Sequence, residues 1–292
     1  MKIDTRLLYF DLATLIFAML ITYSFVQFVH LSQDLEWYLN PERQAQFGYV
    51  NISKSRVSFL VDFGATFQQR LLIACFMTSV SQLVFLSALR RHVTFVSSKD
   101  FTFILALLLF SANIYLTQIS MHLWRQLLAV YFMMAAVLSD GRRAAFLGLL
   151  SAFFHEVTIP LLVGHWLSQW LFGMRFKLFG LRAAALMLAV LVTWHYAIVF
   201  LFSLFRAETR IWSRFANLLF VCCGVALIAN FIAPAPVHST VMERLTIIVF
   251  NVAIICCLSL MTDRHPFFKS ARGLSAIGGF VAFGLYGILS YV

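Results

Sequence analysis

About nine uninterrupted apolar runs, near residues 7–29, 70–89, 101–119, 125–138, 144–172, 182–205, 214–233, 243–262 and 273–292, leave this chain few folds to choose from. A run of about 20 apolar residues matches a hydrocarbon core about 30 Å thick, and within that core a backbone must satisfy its own polar groups. Runs of this length read as spanning helices. With 62% of residues hydrophobic and 12% charged, the composition sets the chain in the polytopic membrane class. The expected fold is all-α: one helical transmembrane domain over residues 1–292, with an external loop at about 31–69.

Orientation follows from the cations. With the N-terminus inside, 13 of the 22 Lys and Arg residues fall on the cytoplasmic side and nine outside. Lys2 and Arg6 precede a first run too long for a signal-peptide core, which reads as a retained anchor. Arg175, Lys177 and Arg182 sit on the wrong side of this topology and point to a re-entrant or broken helix mid-chain. The net charge of +10 reads as topology plus affinity for anionic lipid. Nothing in the charge pattern calls for nucleic acid.

The segment from Met121 to Leu162 carries the chemistry. Leu127 to Leu138 is apolar, Ser139-Asp140-Gly141-Arg142-Arg143 is a turn with two cations, and Ala144 to Leu162 is apolar apart from His155 and Glu156. A helical hairpin is expected, with Pro160 kinking its second arm and releasing a backbone carbonyl. Arg125 lies 16 residues before Gly141 and His155 lies 14 after it, so at about 1.5 Å per residue both stand roughly 21–24 Å above the turn. A cytoplasmic turn then places them in the outer half of the membrane, and intramembrane ionisable residues are candidate functional groups.

Asp34, Glu36, Trp37, Tyr38 and Arg43 cluster at the start of the external loop. Carboxylates beside aromatic rings suit sugars, although Trp and Tyr also serve as interfacial anchors. All five cysteines lie in apolar runs, two pairs being adjacent residues, so neither disulfides nor a metal site are expected. The chain carries no phosphate-binding glycine loop, zinc motif or nucleophile elbow.

The order Trp124-Arg125-Gln126-Leu127-Leu128-Ala129, a short basic turn, then Ala152-Phe153-Phe154-His155, resembles the EpsG and Wzy-type polysaccharide polymerases. Asp34 and Tyr38 resemble that family's first outer loop, and Arg214 in WSRFANLL resembles a later family arginine. By motif the resemblance runs from about Asp34 to Leu162. Glu156 stands where the family more often has a small or hydrophobic residue, the chain is shorter than most members, and the topology puts Arg214 inside.

The resemblance implies a GT-C-like helical membrane glycosyltransferase of the bacterial inner membrane, with its active site facing the periplasm. It would transfer a growing glycan from undecaprenyl diphosphate to the next lipid-linked repeat unit, making O-antigen, capsule or exopolysaccharide. The mechanism would be inverting and free of metal and cofactor. Membrane lipid, a chain-length regulator and a flippase are the further partners implied.

The residue types fit that chemistry. Arginine offers a permanently charged fork for the oxygens of a departing diphosphate, which makes Arg125 the candidate clamp. A neutral imidazole can take the proton of an attacking hydroxyl, which makes His155 the candidate base. Asp34, Trp37, Tyr38, His122, Gln126, Glu156 and Arg214 are candidate substrate contacts; Glu156 could equally support His155 or pair with an arginine. Arg125 can alternatively be read as a helix-end anchor and His155 as a packing histidine. His165, beside Trp166, reads as interfacial. Two other classes use similar residues: a flippase or transporter of lipid-linked sugars, and a membrane acyltransferase with His155 as base.

Overall fold

The computed structural model describes residues 33–40, 52–90 and 124–172, with separate helical positions between 11 and 23 and between 215 and 248. Every regular element among the described residues is an α-helix: α1 (Gln33–Leu39), α2 (Ile52–Val61), α3 (Phe67–Arg90), α4 (Trp124–Val137), α5 (Gly141–Phe154) and α6 (Thr158–Phe172). The chain divides into two compact units. One comprises Met1–Arg91, Leu107–Thr158 and Gly287–Val292, and the other His92–Ala106 and Ile159–Tyr286.

A reciprocal cap starts α3. The Thr66 hydroxyl accepts the Gln69 N–H at 3.3 Å while Gln69 Oε1 accepts the N–H groups of Thr66 and Ala65 at 3.2 and 2.9 Å, so the first turn loses few hydrogen bonds. The helix then runs 24 residues, about 36 Å at 1.5 Å per residue. Its stretch Phe67–Leu89 is long and apolar enough to cross a membrane, the one such helix among the described residues. Leu71, Ala74, Cys75, Thr78, Ser79, Phe85, Leu86 and Leu89 are buried, a spacing of three and four residues that makes one face. The hydroxyls on that face bond back to the helix: Thr78 to the Ala74 carbonyl at 2.9 Å and Ser79 to the Cys75 carbonyl at 2.8 Å.

α4 is the centre of the first unit, packed against both α3 and α5 and buried along all 14 of its residues. The expected extension of this helix through Met121–Leu123 lies outside the described residues. At its far end Leu138 and Ser139 N–H close onto the Met134 and Ala136 carbonyls at 3.0 Å each. Gly141 then takes a left-handed φ of 57°, which an L side chain adopts only at a cost, and α5 returns antiparallel. The hairpin expected around Ser139–Arg143 is therefore present, with Arg142 exposed at its turn.

The buried face of α5 is Ala144, Leu147, Gly148, Ser151 and Phe154. Small residues at 144, 148 and 151 let two helix backbones approach closely. Phe132 and Phe154 stack across the hairpin at 5.4 Å with rings 4° apart.

The second arm differs from the expected single helix bent at Pro160: it stops at Phe154 and restarts at Thr158. The reason lies one turn before the proline. A continuous helix would press the Pro160 ring against the Glu156 carbonyl and give that carbonyl no N–H partner. In the first turn of α6, by contrast, a missing N–H costs nothing, because those donors have no intrahelical acceptor. His155 consequently stands at the break, with φ −155° and ψ 121°, rather than within a helix.

Segment 31–69 also contains more structure than a plain loop, namely α1 and α2. Leu35, Tyr38 and Leu39 of α1 are buried, and α1 packs on α3 and α2.

Candidate functional site

One hydrogen bond sets the register of the hairpin. Ser151 Oγ donates to the carbonyl oxygen of Ala129 at 2.7 Å, so residues 129 and 151 share a level. Arg125 lies four residues before Ala129 on α4, and His155 lies four residues after Ser151. In antiparallel arms, one helical turn from each brings Arg125 and His155 to a common level. Both are buried, Arg125 at 7% and His155 at 4% exposure. Gln126, the next residue, is buried too. An interfacial anchor holds its guanidinium in water, so the burial of Arg125 does not suit that alternative.

Trp124 adjoins this level and ties it to two other helices. Its indole N–H donates to Thr78 Oγ1 of α3 at 2.9 Å, and its ring meets Tyr38 of α1 at 5.2 Å in an edge contact. Trp37 packs edge-on against Tyr38 at 4.9 Å. Tyr38, and through it Trp37, both singled out in the sequence, are thus brought to the residue preceding Arg125.

Arg70 holds them there. It is a buried cation at the start of α3, and sequence reasoning counted it as an outside charge without giving it a role. Its Nη2 pairs with Asp62 Oδ1 at 3.0 Å, its Nε donates to the Gly64 carbonyl at 3.0 Å, and its Nη1 donates to the Tyr38 carbonyl at 3.4 Å. The last of these carbonyls ends α1 and has no intrahelical donor, which a cation at a helix C-terminus supplies. Gly64 is required for the approach, since a Cβ there would lie 2.6 Å from the Arg70 backbone nitrogen. The signal that could have revealed Arg70 was its position at the mouth of an apolar run, eight residues after Asp62.

His155 is fixed by its own backbone. Its Nδ1 accepts the Val157 N–H at 3.2 Å, and its carbonyl accepts the Thr158 hydroxyl at 2.8 Å and the Thr158 N–H at 3.3 Å. His155 is the C-cap of α5, with extended dihedrals, and its imidazole accepts an N–H two residues on, which closes the short turn that leads into α6. Glu156 sits in the same turn but is exposed, so the two side chains part company. An acidic residue there is also placed favourably toward the positive end of α6.

Asp34 lies on α1, and its side chain is outside the described residues, as are His122 and Arg214 altogether. In the second unit, His165 is buried at the middle of α6, not at an interfacial end. Among the described residues no group of His, Cys, Asp and Glu could hold a metal ion. Comparison with protein-family models, curated proteins and solved structures finds no match to this chain.

Proposed function

We propose that this protein is a polymerase of undecaprenyl-diphosphate-linked oligosaccharide repeat units, acting from a bacterial inner membrane toward the periplasm. About nine transmembrane helices form its single membrane domain. The observation that carries this reading is the common level of Arg125 and His155, two buried polar side chains from separate arms of one hairpin. A diphosphate leaving group needs charge stabilisation as its bond to the sugar breaks, and a buried guanidinium supplies more of it than a solvated one. Arg125 clamps the diphosphate, and Gln126 and His155 complete the polar lining. Tyr38 and Trp37 offer aromatic faces to the sugar.

The membrane setting draws support from the distribution of polarity in the described residues. Phe63, Phe146, Leu149 and Trp170 are well exposed, at 73%, 61%, 72% and 80%, while Thr78, Ser79, Ser81, Ser151, Arg125, Gln126 and His155 are buried. A large apolar surface over a partly polar interior suits a lipid solvent, in which interhelical hydroxyls and small residues do the packing.

Purified protein in lipid vesicles with radiolabelled lipid-linked repeat units tests the reading. Elongated glycan is the expected product. Unchanged glycan moved across the bilayer would indicate a flippase, and acylated glycan an acyltransferase; either would overturn the polymerase.

A further inference from the structure

We infer that His155 serves the site as a hydrogen-bond donor through Nε2–H, in a tautomer fixed by its bond to the turn that follows it, and not as the acceptor of the attacking hydroxyl's proton. The inference rests on the polymerase reading for its ligand but not for its chemistry. A neutral imidazole has one N–H and one lone pair. The lone pair on Nδ1 is directed at the Val157 N–H, 3.2 Å away, so the ring proton belongs on Nε2. To take a proton the ring would have to do so at Nδ1, setting Nδ1–H against Val157 N–H and releasing the turn between α5 and α6. The backbone keeps this arrangement in place from the other side, through the two bonds from Thr158 to the His155 carbonyl.

What the site then offers is a neutral donor at the level of a permanent cation. An imidazole N–H and a guanidinium each suit an oxygen anion, and the diphosphate oxygens are the group on which negative charge grows during transfer. The imidazole gains no proton and loses none. The sharper consequence concerns specificity: the acceptor sugar is not recognised by a basic nitrogen at this position.

Two amides separate the roles, because each copies one nitrogen of the ring. His155→Asn sets its Oδ1 near Nδ1 and retains the bond to Val157 N–H, whereas His155→Gln sets its NH2 near Nε2 and retains the donor. Neither can act as a base. The inference predicts elongation by His155→Gln above the level of His155→Ala, with His155→Asn as inactive as His155→Ala. Equal loss in all three, with active wild type, contradicts it. Nitrogen-15 NMR of histidine-labelled protein, assigned by difference with His155→Gln, reads the tautomer whether or not glycan is elongated. A protonated Nε2 with an unprotonated Nδ1 supports the inference, and the reverse pattern overturns it. Absence of elongation by wild type would reject the polymerase while leaving the tautomer result standing.

Discussion

The Ser151 hydroxyl crosses the hairpin to the Ala129 carbonyl at 2.7 Å, and in that register Arg125 and His155 come to one level of the hairpin. The acceptor is a helical carbonyl already engaged in its own ladder, so the bond adds register more than strength. Ala144 and Gly148 on the same face make the approach possible.

Replacing Ser151 separates register from volume. Ser151→Ala should cost about 0.5–1.5 kcal/mol and leave activity largely intact, since the small side chain still permits close packing. Ser151→Leu should push α5 away from α4 and abolish glycan elongation. Unfolding in a detergent titration, followed by helical circular dichroism, measures the first effect, and polysaccharide length on a gel measures the second. Full activity in Ser151→Leu would mean that this register does not hold the site.

The turn at Gly141 should be sensitive for a different reason. A methyl group added at this position would meet no atom within 4 Å, so the penalty is conformational, from a φ of 57°. Gly141→Ala should destabilise the hairpin by about 1 kcal/mol and Gly141→Asn by less, because asparagine tolerates left-handed backbone. The same detergent titration ranks the two, and an unchanged midpoint in both would show that the turn relaxes freely.

At Gly64 the obstacle is steric. A Cβ 2.6 Å from the Arg70 nitrogen and 2.9 Å from the Gln69 carbonyl carbon meets backbone, which cannot swing aside as a side chain would. Gly64→Ala should cost about 1–3 kcal/mol. Arg70→Lys should also loosen α1, since one ammonium cannot reproduce a fork shared among Asp62, Gly64 and Tyr38. Faster proteolysis between residues 31 and 69 in both variants is the expected readout; wild-type protection in Arg70→Lys would remove Arg70 from its positioning role.

Sequence patterning revealed the hairpin because an apolar run, a Gly-containing basic turn and a second apolar run leave one economical reading. The shared level of Arg125 and His155 along the hairpin followed from counting along both arms. Hydropathy could not locate the break at His155, because the proline that causes it lies five residues later and acts on the carbonyl of Glu156. The Arg70 contacts were also hidden, since Tyr38 is 32 residues away in sequence. The cap of α3 was readable in Thr66-Phe67-Gln68-Gln69, where a hydroxyl is followed three residues later by glutamine, and its recognition would have fixed the start of that helix.

Arg125 should tolerate neither truncation nor conservative exchange. Arg125→Ala and Arg125→Lys are expected to lower elongation by roughly 10²–10⁴-fold, the second because an ammonium cannot bind phosphate oxygens as a fork. Initial rates with purified, membrane-inserted variants measure this. Wild-type rates in Arg125→Lys would reduce the residue to a simple positive charge.

Whether Arg125 drives glycan elongation is decided in the protein's own cell, by deleting this chain and restoring either wild type or Arg125→Ala at matched membrane levels, with polysaccharide length resolved on a gel. Single repeat units are expected in the deletion strain, a full ladder with wild type and single units with Arg125→Ala. Normal long chains in the deletion strain, or a full ladder restored by Arg125→Ala, would contradict the polymerase built around this residue.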